Sequence, residues 1–183
     1  MTNPAITEVT DGLEFPEGPV CMPDGSVLVA ELRGKRVTRV HPDGKKETVA
    51  EPGGSPNGLA IGPDGALYVA NSGGWQFHDV MGMLIPEGEQ PADYSGGRIE
   101  RIDLDTGDVQ VLYTECNGHE LVGPNDLVFD IHGGFYFTDH GKTRGRVKTI
   151  GAIYYALPDG SSIKEVVFPL DSPNGIGLSP DGS

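Results

Sequence analysis

One segment occurs four times along this chain. The four copies read FPEGPVCMPDGSVLVAE, SPNGLAIGPDGALYVAN, GPNDLVFDIHGGFYFTD and SPNGIGLSPDGS. In each copy a proline stands second, and a turn triplet ending in glycine falls seven to nine residues after that proline. Short runs rich in β-branched and aromatic residues flank the turn, which is the pattern of a strand, a tight turn and a second strand. The repeat prolines are Pro16, Pro56, Pro124 and Pro173.

A second, weaker hairpin follows each of the three complete copies. These segments read GKRVTRVHPDGKKETVAE, GGRIERIDLDTGDVQVLYTE and GAIYYALPDGSSIKEVVFPL. Two hairpins make a four-stranded antiparallel unit, and successive units start 40, 68 and 49 residues apart. The longer spacings contain insertions, residues 72–96 in the second unit and residues 140–149 in the third. Four-stranded units at this period predict an all-β fold, a β-propeller, with a β-sandwich as the weaker alternative.

The predicted domain is a partial β-propeller over residues 1–183, with blade-like repeats beginning near residues 15, 55, 123 and 172. The sequence supplies about three blades and the first part of a fourth, and it stops at Ser183 directly after the turn of the fourth copy. Propellers close with about four to eight blades, and open sheet edges tend to pair. We therefore expect either missing C-terminal blades or self-association to close the ring.

Oxygen-bearing side chains recur at matching positions of the copies. One residue after the repeat prolines stand Glu17, Asn57, Asn125 and Asn174, and fifteen residues after them stand Glu31, Asn71 and Asp139. Both positions lie at the open end of a hairpin, and the first strands of propeller blades line the central channel. This predicts a cup of carboxylate and amide oxygens that suits calcium, magnesium or manganese. Hydrogen bonding to nearby backbone is the alternative, above all at position fifteen.

The charge balance limits the partners of this chain. Lys and Arg number 13 against 27 Asp and Glu, and the formal charge of −14 argues against a nucleic-acid groove or an anionic membrane. There is no apolar run of 18 residues, and MTNPAITEVTDG lacks the basic and apolar regions of an export signal, so we expect a cytoplasmic location. Cys21 and Cys116 lack the spacing of a zinc site or a disulfide framework.

Several segments resemble the SMP-30/gluconolactonase/luciferin-regenerating enzyme family. They are FPEGPV, GPNDLVFD, GGFYFTD, YYALPDGS and SPNGIGLSPDG, and they occur in order from about Phe15 to the end. The resemblance implies a six-bladed propeller that holds a divalent cation through one Glu, two Asn and one Asp, and that hydrolyses lactones or related esters. It implies calcium as the usual ion, with magnesium, manganese or zinc as alternatives. Carried over by motif, the metal ligands are Glu17, Asn125 and Asn174, and the family's Asp would fall beyond Ser183.

The reaction that this resemblance implies is attack of water on a lactone carbonyl that the cation polarises. The general base is expected to be the Asp beyond residue 183. Asn57 and His140 are predicted to bind substrate or a metal-bound water, and His140 could also shuttle a proton or be a satisfied surface residue. Asp126 is expected to point away from the channel, because side chains alternate along a strand.

The insertion at residues 72–96 leaves from the face that carries the predicted cup. Its apolar side chains predict either a lid over a hydrophobic ring or acyl chain, or a seal over the channel; they are Trp75, Phe77, Met81, Met83 and Leu84. Sugar-lactone members of the family commonly have Arg at the position of Gly123, so gluconolactone itself is a weaker candidate substrate. Two other functions stay open, namely phosphotriester hydrolysis and a binding propeller with a structural cation.

Overall fold

The computed structural model describes residues 6–87, 89–180 and 182, and within them it contains strands and no helix. Three four-stranded antiparallel sheets contain most of these strands. This arrangement confirms the predicted partial β-propeller, in which each sheet is a blade. No helix among the described residues has the length and hydropathy needed to cross a membrane.

The first two blades differ in how their hairpins are joined. In the first blade the strands pair in chain order: β1 (Pro16–Cys21), β2 (Val27–Glu31), β3 (Arg36–Val40) and β4 (Lys46–Ala50). The second blade carries a separate hairpin between its second and third strands. Its strands are β5 (Pro56–Ile61), β6 (Leu67–Asn71), the inserted pair β7 (Gln76–Val80) and β8 (Met83–Glu87), and then β9 (Arg98–Ile102) and β10 (Val109–Tyr113).

The third blade has the same order with two short hairpins added. A two-stranded hairpin precedes the blade, and another lies between its second and third strands. The strands are β11 (Glu115–Cys116), β12 (His119–Glu120), β13 (Pro124–Phe129), β14 (Phe135–Asp139), β15 (Thr143–Arg144), β16 (Val147–Lys148), β17 (Gly151–Ala156) and β18 (Ile163–Leu170). The blade itself pairs in the order β13-β14-β17-β18.

Side-chain alternation explains how the blades stack. In β6, Leu67 and Val69 belong to the apolar cluster shared with the first blade, whereas Tyr68 and Ala70 belong to the cluster shared with the third. All four side chains are at most 1% exposed. A strand with apolar residues on both faces is expected in a sheet that is covered on both sides. The second blade is therefore the centre of the described core.

The tight turns between first and second strands use glycine in the left-handed region. Gly25, Gly65 and Gly133 have φ angles of 82°, 79° and 86°. The third copy lacks the Pro-Asp-Gly triplet, yet it keeps the turn because Asp130 accepts hydrogen bonds from the backbone N–H groups of His132 and Gly134 at 2.8 and 3.0 Å. An Asp side chain bonded to nearby backbone stabilises such turns.

Each first strand is irregular at its channel end. The pairing register shifts between Glu17 and Val20, between Pro56 and Leu59, and between Pro124 and Leu127. At these irregularities the first strands approach one another closely. A Cβ atom on Gly18 would lie 2.4 Å from the carbonyl oxygen of Asn57, and one on Gly58 would lie 2.5 Å from the Cα atom of Asp126. Glycine therefore allows neighbouring blades to meet around the channel.

Replacing Gly58 with Ala should destabilise the protein, because the new methyl group would overlap the backbone of the third blade. Overpacking of this kind costs about 1–3 kcal/mol. Urea unfolding of the variant would measure this loss. Gly177→Ala is the matched control, since a Cβ there meets no atom within 4 Å and the residue has no left-handed φ. Equal unfolding midpoints for the two variants would contradict the predicted contact.

The fourth copy forms no strand over its described residues, but it is bonded to the third blade. The Thr138 hydroxyl donates to the carbonyl oxygen of Asn174 at 2.6 Å, and the N–H of Ile176 donates to Asp126 at 3.0 Å. These two hydrogen bonds fix Asn174 beside the channel end of β13.

Candidate metal and substrate site

A single cavity of about 310 Å³ lies where the first strands converge. The residues that directly follow the repeat prolines, which we call position one, line it in all four copies: Glu17, Asn57, Asn125 and Asn174. The structure thus brings together the three residues predicted as metal ligands and Asn57, which was predicted to bind substrate. They come from segments far apart in sequence, and the rotational repeat of the blades gathers them. Their roles as ligands stay predictions.

The two central asparagines of this cavity are mostly buried, and their side chains line the open cavity. Asn57 and Asn125 are 7% and 5% exposed. Within the described part of the chain, neither side-chain amide makes a hydrogen bond to protein. The amides therefore face the open cavity without a protein partner, where a ligand, an ion or water can reach them. Glu17 and Asn174 are exposed and bring a carboxylate and a third amide to the rim.

The position of Asp126 differs from the one predicted from the sequence. Strand alternation predicted that it points away from the channel, yet it lines the same cavity as Asn125. The register shift between Pro124 and Leu127 breaks the alternation and turns both residues toward the channel. The Asp126 carboxylate also accepts hydrogen bonds from the N–H groups of Leu127 and Ile176 at 2.9 and 3.0 Å. It therefore links the third blade to the fourth copy.

The residues at position fifteen are bonded to backbone, not turned toward the cavity. Asn71 Oδ1 accepts from the N–H groups of Ser55 and Gly73, both at 3.0 Å. Asp139 accepts from the N–H groups of Val122, Gly123 and Gly141 at 2.7, 2.8 and 2.8 Å. Each side chain thus ties the end of a second strand to the loop that enters the first strand, and we call this contact the entry clasp.

Glu31 forms the entry clasp of the first blade through charged contacts. It accepts from the backbone N–H of Glu14 at 2.6 Å and from the Arg36 guanidinium at 2.7 and 2.8 Å, and the Thr38 hydroxyl also donates to it. Burial alone would raise the pKa of the Glu31 carboxyl, but the hydrogen bonds from Arg36, Thr38 and Glu14 outweigh burial and lower it. The Glu31 side chain therefore bonds only within the first blade and the loop that enters it.

His140 lies beside the cavity, not on its wall. Its backbone N–H donates to the carbonyl oxygen of Gly123 at 2.8 Å, and Gly123 precedes Asn125 by two residues. Its ring meets the Trp75 ring edge-on with a centroid distance of 5.8 Å. The cavity-lining residues do not include it. Its predicted role in substrate binding stays a prediction that would require a ligand extending toward Trp75.

The insertion at residues 72–96 reaches across the channel face. Phe77 packs against Phe15 with a centroid distance of 5.1 Å, and Phe15 stands two residues before Glu17. The tip of the β7–β8 hairpin points to solvent instead, since Met81 and Met83 are 95% and 61% exposed. Trp75 and Phe77 at the base of the insertion are therefore the apolar residues packed beside the channel face, and the choice between a lid and a seal stays a prediction.

The donors in the cavity are those of a hard cation. Among the described residues no group of three or more His, Cys, Asp and Glu is arranged to hold a metal ion. The cavity instead offers the Glu17 carboxylate and three asparagine amides, with the Asp126 carboxylate next to Asn125. Calcium accepts mixed carboxylate and amide oxygens, whereas zinc favours nitrogen and sulfur. The residues present thus fit an oxygen-bound divalent cation.

Sequence comparison assigns the family of this chain. A family model described as the SMP-30/Gluconolactonase/LRE-like region matches residues 15–183. The chain belongs to this family. Among curated members, the lactonase drp35 of Staphylococcus saprophyticus is 30% identical over 159 residues, which cover 86% of this chain and 42% of that protein. The gluconolactonase of Zymomonas mobilis is 27% identical over 199 residues, which cover 96% of this chain and 49% of that protein.

Structural comparison supports the same fold. The gluconolactonase XC5397 of Xanthomonas campestris superposes with a TM-score of 0.71 at 24% identity, over 95% of this chain and 54% of that one. At this level of identity the likeness concerns the fold alone. This family member spans about half the length of the curated relatives it matches.

Proposed function

We propose that this chain contributes the metal cup of a lactone hydrolase that depends on a divalent cation, with calcium as the expected ion. The observation that carries the proposal is the cavity that gathers Glu17, Asn57, Asn125 and Asn174 from four copies of the repeat. The Asn57 and Asn125 amides support it, because both line the cavity and neither is engaged by a hydrogen bond to another described residue. The names of the curated relatives support the lactone as substrate class.

The residues divide into those that hold an ion and those that hold substrate. Glu17, Asn125 and Asn174 would hold the cation, and Glu17 supplies the negative charge among them. A divalent cation held there would supply Lewis-acid polarisation of a lactone carbonyl and stabilise the negative charge that develops on its oxygen. Asn57 would donate its N–H₂ group to the lactone or orient a water molecule. The base expected beyond residue 183 stays a prediction, as does the cytoplasmic location.

Asp126 adds a second carboxylate to the proposed site. Its two oxygens accept backbone N–H groups from Leu127 and Ile176, so the carboxylate has a fixed orientation. A carboxylate fixed beside the ion-binding amides would hold a water molecule or the cation itself. The hydrogen bond to Ile176 also keeps Asn174 within the cavity, so Asp126 would support the ion site through the backbone as well.

Metal removal and replacement tests the proposed function. Protein treated with EDTA should lose hydrolysis of γ- and δ-lactones, and added calcium or manganese should restore it, with zinc as a comparison. A pH-stat would record the acid released. If no lactone is hydrolysed faster than its uncatalysed background rate with any of these ions, the proposed lactonase function is wrong. A phosphotriester assay separates the related hydrolase, and a metal-dependent rise in Tm without any hydrolysis would indicate a binding propeller with a structural cation.

A further inference from the structure

Three buried side-chain atoms of the described residues have no hydrogen-bond partner: Trp75 Nε1, Gln90 Oε1 and Lys142 Nζ. All three belong to the insertions at residues 72–96 and 140–149, which both follow the second strand of a blade. Buried polar atoms without partners are rare in folded proteins, and each one points to a group that completes it. Trp75 Nε1 and Lys142 Nζ are donors and would both be satisfied by an acceptor group between the insertions, whereas Gln90 Oε1 is itself an acceptor.

The three atoms lie in one region. Lys142 Nζ stands 4.2 Å from the centroid of the Trp75 ring and 5.9 Å from that of Tyr94. The backbone N–H of Gln90 donates to the carbonyl oxygen of Thr143 at 2.9 Å, directly beside Lys142. The second insertion is therefore packed against the first, and Lys142 Nζ meets the Trp75 ring at their junction.

Lys142 is the most unusual member of this cluster. The residue is only 3% exposed, and burial lowers the pKa of its ammonium to about 8, although nearby Asp139 opposes the shift. Asp139 does not hydrogen-bond to it, because the Asp139 oxygens accept the N–H groups of Val122, Gly123 and Gly141. The ammonium lies over the Trp75 ring and near the Asp139 carboxylate, and a buried charge without a direct hydrogen bond is costly. The ammonium thus has a carboxylate nearby but no hydrogen-bond acceptor.

The cluster adjoins the metal cavity. Gly141 packs against Gly123, where a Cβ atom would come within 2.8 Å of the Gly141 carbonyl oxygen, and Gly123 precedes Asn125 by two residues. Trp75 and His140 are only half-buried, although the Trp75 Nε1 and Lys142 Nζ atoms themselves are closed to solvent. A ligand that extends from the cavity past His140 would meet the Trp75 ring first, and it would reach Lys142 if that ring moves aside.

We propose that the Lys142 ammonium and the Trp75 indole N–H form a subsite for a carboxylate group, so that the substrates are lactones with a carboxylate substituent away from the reacting ester. The substrate class rests on the proposed function, whereas the carboxylate subsite does not. A carboxylate fits better than a phosphate, because one cation is matched by one negative charge. Asp139 beside the cluster and the formal charge of −14 further disfavour a dianion.

Trp75 is the only tryptophan of the chain, so its fluorescence reports on the subsite directly. In EDTA, which prevents binding through a metal, butyrate should change the emission saturably. Butyramide, of the same size but without charge, should bind at least about tenfold more weakly, the effect of losing a charged hydrogen bond. Lys142→Met should abolish the response to butyrate, whereas Lys142→Arg should retain it. Lys148→Met is the matched control, because Lys148 is exposed and paired with Asp171.

Two fluorescence results would overturn the subsite. One is an equal response to butyrate in the wild type and in Lys142→Met, which would place binding elsewhere. The other is the absence of any saturable response, which would mean that an internal water bridges the three atoms and that Lys142 serves packing. Both results are independent of hydrolysis, so they do not bear on the lactonase proposal.

A kinetic comparison tests the substrate class. The ratio of kcat/KM for a δ-lactone with a carboxylate substituent to that for its amide analogue should fall at least about tenfold in Lys142→Met and stay unchanged in Lys148→Met. An unchanged ratio in Lys142→Met would overturn the proposed substrate class. If the wild type hydrolyses no lactone, the proposed function fails, and the fluorescence titration alone decides the subsite.

Discussion

Glu17→Gln should lower metal-dependent lactone hydrolysis by at least about 100-fold. Glu17 is the one carboxylate among the four position-one side chains that line the cavity. The substitution keeps the shape of the side chain but removes the charge that attracts a divalent cation. Changes to groups that only support a metal ligand already cost about 10–100-fold, and loss of a charged ligand should cost more. Initial rates at saturating calcium, together with a calcium titration followed by Tm, would measure the loss.

Glu115→Gln is the matched control for this experiment. Glu115 is also an exposed glutamate on a strand, but it lies on β11 and does not line the cavity. The control should keep the wild-type rate and the wild-type response of Tm to calcium. Wild-type rate and calcium affinity in Glu17→Gln would contradict the assignment of Glu17 as a ligand.

Asp139→Ala should lower the free energy of unfolding by about 3–5 kcal/mol. Three backbone N–H groups donate to this buried carboxylate, those of Val122, Gly123 and Gly141. Alanine would leave all three without an acceptor, and each buried unsatisfied donor costs about 1–3 kcal/mol. The loop entering β13 would lose its entry clasp at the same time. Chemical denaturation followed by circular dichroism would measure the loss.

Asp105→Ala is the control for the entry clasp. Asp105 is exposed in the loop between β9 and β10, and its side chain makes no hydrogen bond within the described residues. Its unfolding midpoint should stay close to the wild-type midpoint. If Asp139→Ala unfolds at the wild-type midpoint, the three N–H groups find other acceptors. The entry clasp would then not contribute measurably to the stability of the protein.

The sequence is sufficient to predict the blades and the convergence of the position-one residues, for one physical reason. Equivalent positions of a rotational repeat must lie on a common ring, so Glu17, Asn57 and Asn125 could be grouped without knowledge of any contact. The same reasoning could not decide position fifteen. Asn71 and Asp139 are as suitable for binding an ion as for accepting backbone N–H groups, and only the path of the entry loops decides between these roles.

Two features of the site were beyond prediction from the repeat. Asp126 faces the cavity because of a register shift, and strand alternation cannot reveal such a shift in advance. Lys142 meets Trp75 through the packing of two insertions that have no counterpart in the other copies. The segment HGKTRGRVKT contains no pattern that distinguishes Lys142 from the lysine and arginines around it.

The entry clasp also bears on how this architecture can diversify. Asn71 binds Ser55 and Gly73, and Asp139 binds Gly123 and Gly141, so each hairpin is locked at the residue where its insertion begins. Anything that follows Gly73 or Gly141 can be lengthened, shortened or exchanged without displacing Asn57 or Asn125. These two loops can therefore vary in evolution while the proposed ion-binding cavity keeps its shape.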